Sequence, residues 1–106
     1  MFICFEKNKE YYRRLFEITG QNSFGEFFAH YCEKTFFSIL SRHPMKKMPC
    51  DLITPQSLAH YNALLLIEIL KLWLSSPKAV PAEKIFEAYQ YIMRTPILDM
   101  IQYPEI

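Results

Sequence analysis

The chain has 106 residues with a formal net charge of +1, and 51% of its residues are hydrophobic while only two are glycines. Such an apolar content excludes a disordered chain, and this length fits one domain with a single modest core. The near-neutral charge excludes a protein that relies on a strong positive field to attract nucleic acid or an anionic membrane, and the scarcity of glycine favours an all-α fold.

The first predicted helix runs from about Phe2 to Ile18. Asn8 is a candidate N-cap for a restart at Lys9, so the sequence leaves a break at this point open. Gly20 suits the left-handed position that ends many helices. The apolar side chains share a rough face made of Phe2, Phe5, Tyr12, Leu15 and Phe16.

The second predicted helix begins at Ser23, which forms the pattern of a capping box with Glu26. The helix is expected to reach about His43, because Pro44 cannot continue it. Gly25 is interpreted as a point of close packing. The helix carries a wide apolar stripe made of Phe24, Phe27, Phe28, Tyr31, Cys32, Phe36, Ile39 and Leu40.

The third predicted helix starts with Thr54 as N-cap and Pro55 at the first helical position, and extends to Leu74 or Ser75. From Ala63 onward, the polar residues lie on one narrow line made of Glu68, Lys71 and Ser75. This apolar run is shorter than the ~20 residues that span a membrane, so no membrane insertion is expected. A helix that is apolar nearly all round must be covered on several sides, and a partner subunit is the most economical cover.

The fourth predicted helix starts at Pro81 and runs to about Arg94. Its apolar stripe consists of Ala82, Ile85, Phe86, Tyr89, Ile92 and Met93. Pro96 interrupts it, and one short turn is expected up to Ile101. The chain shows no internal repeat, so residues 1–106 are predicted to form a single domain of four to five helices.

The residue patterns indicate neither catalysis nor a metal site. His30 and Cys32 point about 200° apart on one helix and cannot hold the same ion. The sequence has no nucleophile elbow and no glycine-rich phosphate loop. We therefore expect no metal, no cofactor and no enzymatic activity, and a small helical enzyme is the least supported hypothesis.

The three cysteines, Cys4, Cys32 and Cys50, are widely separated. The first residues of the chain lack the basic segment of a secretory signal. An odd number of scattered cysteines without such a signal is typical of reduced thiols, so a cytoplasmic location is expected.

Two stretches of the chain resemble a known family. Residues 8–16 (NKEYYRRLF), followed by residues 20–24 (GQNSF), resemble the start of the C-terminal domain in many TetR/AcrR-type transcription regulators. The helix over 58–74 with Trp73 near its end, and the helix from Pro81, are similar to the last two helices of that domain. The resemblance implies an all-α regulatory domain whose last two long helices form a four-helix bundle with their copies in a second subunit.

Family members also carry an N-terminal helix-turn-helix domain of about 45–50 residues that reads the DNA major groove. These 106 residues do not include that domain, so no direct DNA binding is expected of this chain. The basic pairs Arg13-Arg14 and Lys46-Lys47 are interpreted as solvated surface. A fragment, a truncated reading frame and a mis-annotated start are the three explanations that the missing domain leaves open.

We expect a two-fold symmetric homodimer in which the last two long helices pack against their copies. Several of their apolar side chains must also hold each helix to its own subunit, so not all of them can face the partner. The residues placed at or near the interface are Leu65, Leu66, Ile69, Leu72, Trp73, Phe86, Tyr89 and Met93.

The high aromatic content has two interpretations. The rings either fill a plain aromatic core or line a pocket that is cut into it among the first three helices. The predicted ligand-binding residues are Tyr12, Phe16, Phe24, Phe28, Tyr31 and Tyr61. Because these apolar stripes carry no Arg or Lys, a neutral or weakly polar organic effector is expected rather than an anion.

The resemblance and the apolar faces together favour the regulatory domain of a TetR-like regulator that dimerises and senses a small apolar or aromatic effector. The alternative is a stand-alone helical interaction module that forms heterodimers with a full-length regulator. Such heterodimers would be defective in DNA binding, so overexpression of this chain would derepress the targets of its partner.

Overall fold

The computed structural model describes residues 2–17, 23–43, 46 and 48–101, and these form helices without any strand. The all-α prediction is therefore confirmed. The helices are α1 (Phe2–Lys7), α2 (Lys9–Glu17), α3 (Phe24–Ser41), α4 (Pro55–Ser75) and α5 (Ala82–Arg94), and a short 3-10 helix (Ile97–Met100) follows α5.

The first predicted helix is divided in two at Asn8. The backbone N–H of Asn8 donates to the Phe5 carbonyl at 3.3 Å, and the Asn8 carbonyl accepts from the Tyr12 N–H at 3.1 Å. The chain therefore restarts at Lys9, as the sequence had left open. The break brings the rings of Phe5 and Tyr12 together edge to face, with centroids 4.5 Å apart. The predicted end of this helix at Gly20 lies outside the described residues.

The starts of α3 and α4 follow from local capping chemistry. The Ser23 hydroxyl accepts from the Glu26 N–H at 3.2 Å, and the Thr54 hydroxyl accepts from the Ser57 N–H at 3.2 Å. The reciprocal half of the predicted capping box is absent from these contacts, because the Glu26 carboxylate points toward His30 at 3.9 Å. Each serine or threonine satisfies one of the amides that the first turn of a helix leaves unpaired.

Replacement of Ser23 with alanine should lower the free energy of unfolding by about 1 kcal/mol, because the Glu26 N–H loses its acceptor at a buried position. Ser23→Gly should cost only a few tenths of a kcal/mol, since glycine lets water reach the amide. Urea unfolding at one fixed protein concentration measures both. Equal stability of the wild type and Ser23→Ala would show that this cap contributes nothing.

Helix α4 lies at the centre of the fold and contacts α2, α3 and α5, with its longest contact along α3. Leu70 is fully buried and Trp73 is 2% exposed. The subunit thus covers the sides of α4 that face α2, α3 and α5, and the expected cover by a partner subunit stays a prediction. α4 has 21 residues and a mean hydropathy of 1.2, and among the described helices it alone is long and apolar enough to cross a membrane. A buried core helix meets the same criterion.

The linker between α4 and α5 is fixed by two side chains. The Trp73 indole N–H donates to the Val80 carbonyl at 2.8 Å. The first N–H of α5, on Ala82, donates to the Glu6 carboxylate of α1 at 2.6 Å. Pro81 has no side-chain oxygen that could cap this helix, so a carboxylate from another helix takes that role at the positive end of the α5 dipole. α5 consequently packs mainly against α1.

Candidate functional site

The apolar face of α5 is only partly covered by its own subunit. Ala82 and Tyr89 are buried and Ile85 is half-buried in the core cluster. Phe86, Ile92 and Met93, which belong to the same predicted stripe, are exposed by 43%, 37% and 45%. About half of the face that the sequence pattern assigns to a core therefore lies open to solvent.

The outer face of α4 is also apolar. Tyr61 and Leu72 are 52% and 71% exposed, and Leu65 is half-buried. These residues are four and seven positions apart, so they share one side of the helix with the nearly buried Ile69. We call the exposed side chains Tyr61, Leu65 and Leu72 of α4, with Phe86, Ile92 and Met93 of α5, the outer apolar face.

The total surface is large for a chain of 12.7 kDa. Its accessible area is 8517 Å², whereas a compact monomer of this mass exposes about 6,200 Å². The radius of gyration is 16.1 Å, compared with about 13 Å for a compact chain of this length. The isolated subunit therefore exposes more surface than a compact monomer of the same mass.

The eight residues predicted for the interface divide into two groups. Leu66, Ile69, Trp73 and Tyr89 are buried inside their own subunit. The members that a partner can reach are Leu65, Leu72, Phe86 and Met93. The sequence pattern thus placed all eight on apolar faces, and the first group holds α4 and α5 to the rest of the chain.

Four of the six predicted ligand-binding residues form a packed aromatic cluster. Phe24 stacks on Phe28 with a centroid distance of 5.7 Å, and Phe16 meets Phe24 edge to face at 5.1 Å. Tyr12 joins at 6.1 Å from Phe24, and Phe5, which was not predicted, lies 5.6 Å from Phe28. Rings at these distances are in favourable contact with one another. The cluster therefore joins α1, α2 and α3 through direct ring contacts.

The other two predicted residues lie apart from this cluster's interior. Tyr31 is 59% exposed and stacks only against the outer side of Phe28, at 6.4 Å. Tyr61 is 52% exposed and lies beside His60 on α4. The hydroxyl of the third predicted tyrosine, Tyr12, lies 3.6 Å from the Cys4 sulfur.

A groove of about 370 Å³ lies between α3 and α4, and Phe16 of α2 also lines it. The groove therefore lies among the first three helices predicted from the sequence. Its floor contains Phe16, Ala29, Ala63 and Ile67, and Phe16 is the one predicted ligand residue that it includes. Its rim carries charged or titratable side chains, namely Glu26, His30, Glu33, His60, Glu68 and Lys71. We call this feature the α3–α4 groove.

One contact across the α3–α4 groove ties the two helices together. His60 Nδ1 of α4 lies 3.0 Å from Glu33 Oε2 of α3, and Glu33 is the less exposed partner, at 26%. The other rim pairs lie within single helices, with Lys71 3.8 Å from Glu68. Exposed pairs within one helix contribute little to stability, so the carboxylates of Glu26 and Glu68 are available to a charged ligand.

Gly25 borders this groove and is not a point of close packing, contrary to the sequence-based interpretation. A side-chain carbon added there would come no closer than 3.9 Å to the Phe16 ring and 4.0 Å to the Ser23 hydroxyl. These are ordinary van der Waals distances. A small side chain would therefore fit at this position without a clash.

Cys32 and Tyr89 are buried polar groups between α3 and α5. Burial raises the pKa of the Cys32 thiol to about 11. Burial, and then the neighbouring Cys32, raise the pKa of Tyr89 above its ordinary value. The Tyr89 hydroxyl has no hydrogen-bond partner among the described residues. Both groups are therefore kept neutral, and they act as parts of the core.

In the folded protein, Cys32 should react with iodoacetamide at pH 8 far more slowly than the exposed Cys4 and Cys50. Its raised pKa lowers the thiolate fraction about a hundredfold relative to an ordinary thiol, and burial also blocks access. Peptide mass spectrometry at timed intervals measures the alkylation rates of the three cysteines. In urea, where the chain is unfolded, the three rates should be similar. Equal rates in the folded state would contradict the burial of Cys32.

The raised pKa of Cys32 also determines how the free energy of unfolding changes with pH. Because the folded pKa lies above the unfolded one, the contribution of Cys32 is fully present below about pH 9 and is lost as the pH rises through about 11. The Cys32→Ala variant should lack this component of the alkaline decline in stability. An identical alkaline decline in the variant and the wild type would show that this thiol is not responsible.

The described residues contain no group of three or more His, Cys, Asp or Glu side chains that could hold a metal ion. Their arginine pair on α2 is occupied by carboxylates, because Arg13 contacts Glu10 and Glu17 while Arg14 contacts Glu10. This local neutralisation agrees with the interpretation of the pair as solvated surface.

Comparison with known proteins identifies the family. No curated protein and no solved structure is significantly similar to this chain. A family model described as a transcriptional regulator C-terminal region of the TetR type matches residues 1–95. This match covers α1 to α5 and includes both stretches on which the resemblance was based. The chain therefore belongs to the family of TetR-type transcriptional regulator C-terminal regions.

Proposed function

We propose that this regulator domain forms a symmetric homodimer through the outer apolar face of α4 and α5. The observation that carries the proposal is the exposure of large apolar side chains on both helices, with Leu72 at 71% and Met93 at 45%. An apolar face of this size is a liability on a monomer, and a second copy offers a matching face. The four residues that hold α4 and α5 in their own subunit give this face a fixed shape.

Charge placement supports the same surface. The charged side chains of α5 lie away from its apolar stripe, and Lys84 pairs with Glu87 at 3.4 Å on that polar side. On α4, the charged residues Glu68 and Lys71 border the α3–α4 groove. Charged residues are depleted from the cores of stable interfaces, and the outer apolar face follows that pattern.

Co-expression of a tagged and an untagged copy of the chain tests this proposal. The untagged copy should be recovered with the tagged one on the affinity resin, and the pair should separate when Leu72 is replaced with glutamate in both copies. Recovery of the tagged copy alone would refute dimerisation. The heterodimer alternative uses the same face, and it predicts exchange of this chain into a full-length regulator of the family when the two are mixed.

We also propose that the domain senses a small molecule in the α3–α4 groove. A volume of about 370 Å³ falls within the range of small-molecule sites. The aromatic cluster, where the sequence had placed the effector, is occupied by rings in mutual contact. Ligand at 100 times its dissociation constant should stabilise the fold by about 2.7 kcal/mol, which thermal-shift screening detects.

We place the domain in the cytoplasm, where its three free thiols stay reduced.

A further inference from the structure

We infer that the α3–α4 groove takes an amphipathic organic cation, in which an apolar group carries one positive charge. This inference deepens the sensing part of the proposed function and rests on it. The groove combines two features that such a molecule requires, namely an apolar floor and a rim with excess negative charge. A neutral effector, as expected from the sequence, would use only the first of these features.

The floor accepts an apolar group because its side chains are small or flat. Ala29 of α3 and Ala63 of α4 both line the floor, and Gly25, which has no side chain, lies at the end near Phe16. Burial of one phenyl-sized group on this floor removes apolar area from water, which is favourable by about 25 cal/mol per Å². The floor thus supplies affinity without selecting a charge.

The rim determines which charge on a ligand is favoured. It holds the carboxylates of Glu26, Glu33 and Glu68 against one ammonium group, that of Lys71. With both histidines neutral, three negative charges and one positive charge leave the rim at −2. An anion in the groove would be repelled, and a cation gains from each carboxylate that it approaches.

The carboxylates are placed so that a ligand can reach them. The side chains of Glu26 and Glu68 are 58% and 72% exposed. Their nearest partners, His30 and Lys71, lie on the same helices at 3.9 and 3.8 Å, which is long for an ion pair. Glu33 already contacts His60, and this contact between α3 and α4 holds the two sides of the groove together. Glu26 and Glu68 stand on opposite helices and are therefore the two residues that we assign to the ligand's charge.

Isothermal titration of the wild-type chain with benzyltriethylammonium, and with benzenesulfonate as the matched anion, tests this inference. The cation should bind, the anion should not, and high salt should weaken the binding. The double variant Glu26→Gln/Glu68→Gln should lose about tenfold in affinity for the cation. Circular dichroism checks that the variant retains its helices.

The control is Glu87→Gln on α5, since Glu87 also forms an exposed ion pair within one helix, with Lys84, and lies outside the groove. This variant should bind the cation like the wild type. Equal binding of anion and cation, or equal losses in the control and the double variant, would overturn the inference. A chain that shows a thermal shift with a neutral ligand but binds no cation refutes only this inference, whereas a folded chain that responds to neither also refutes sensing in the α3–α4 groove.

Discussion

Replacement of Leu72 with glutamate should convert the dimer into a folded monomer. Leu72 is 71% exposed in the subunit, so the change should alter the stability of an isolated chain by less than about 0.5 kcal/mol. In a symmetric dimer, the same change buries two carboxylates in an apolar interface. Each costs at least about 1 kcal/mol, the lower bound for an unpaired neutral polar group, so the dissociation constant should rise by at least about thirtyfold.

The matched control for this variant is Leu52→Glu. Leu52 is even more exposed, at 82%, and lies in the loop before α4, outside the outer apolar face. Light scattering coupled to size exclusion should show a dimer for Leu52→Glu and a monomer for Leu72→Glu at the same concentration. A dimer in both variants would place the interface elsewhere on the molecule.

Replacement of Trp73 with alanine should give the largest loss of stability, about 3–5 kcal/mol. Trp73 is 2% exposed, and it contacts the ring of Phe2 at a centroid distance of 6.0 Å. The substitution leaves a cavity where α1 meets α4 and removes the hydrogen bond that fixes Val80. Such a loss is a large part of the 5–15 kcal/mol that stabilises a typical domain.

Trp73→Phe separates packing from hydrogen bonding. It keeps a large ring but leaves the Val80 carbonyl without its donor, so it should cost about 1–3 kcal/mol. Both variants are compared by urea unfolding, followed by circular dichroism because the chain has one tryptophan. The protein concentration must be the same throughout, since the stability of a dimer depends on it. A loss below 1 kcal/mol for Trp73→Ala would refute its role as a core anchor.

The sequence predicted the helices well because their ends depend on neighbouring residues. The start of α3 at Ser23 and that of α4 at Thr54 follow from side-chain oxygens that accept from amides three residues away. The break at Asn8 was left open because either state satisfies local rules. The packing of Phe5 against Tyr12 accompanies the break, and no local pattern reports that contact.

The sequence could not show which apolar side chains of α4 are buried inside the subunit and which are exposed. Leu66 and Leu72 belong to the same apolar helix, but they lie about 120° apart around its axis. Leu66 is 3% exposed and Leu72 is 71% exposed. Periodicity identifies an apolar face when the opposite face is polar, and α4 is apolar nearly all round, so it gave no such contrast.

The charged rim of the α3–α4 groove was missed because it is assembled from residues far apart in the chain. His60 and Glu33 are 27 positions apart. One signal did exist, since Glu68 and Lys71 form a polar line on an otherwise apolar helix, and Glu26 and His30 are one turn apart on α3. Each line looked like an ordinary solvated face, and only the packing of α3 on α4 brings them to one groove.

Sedimentation equilibrium of the wild-type chain, from low micromolar concentrations upward, tests the central claim most directly. If the outer apolar face joins two copies, the fitted mass should be twice the 12.7 kDa of one chain and should fall toward that value only on dilution. A folded species of 12.7 kDa across the whole concentration range would contradict dimerisation through α4 and α5.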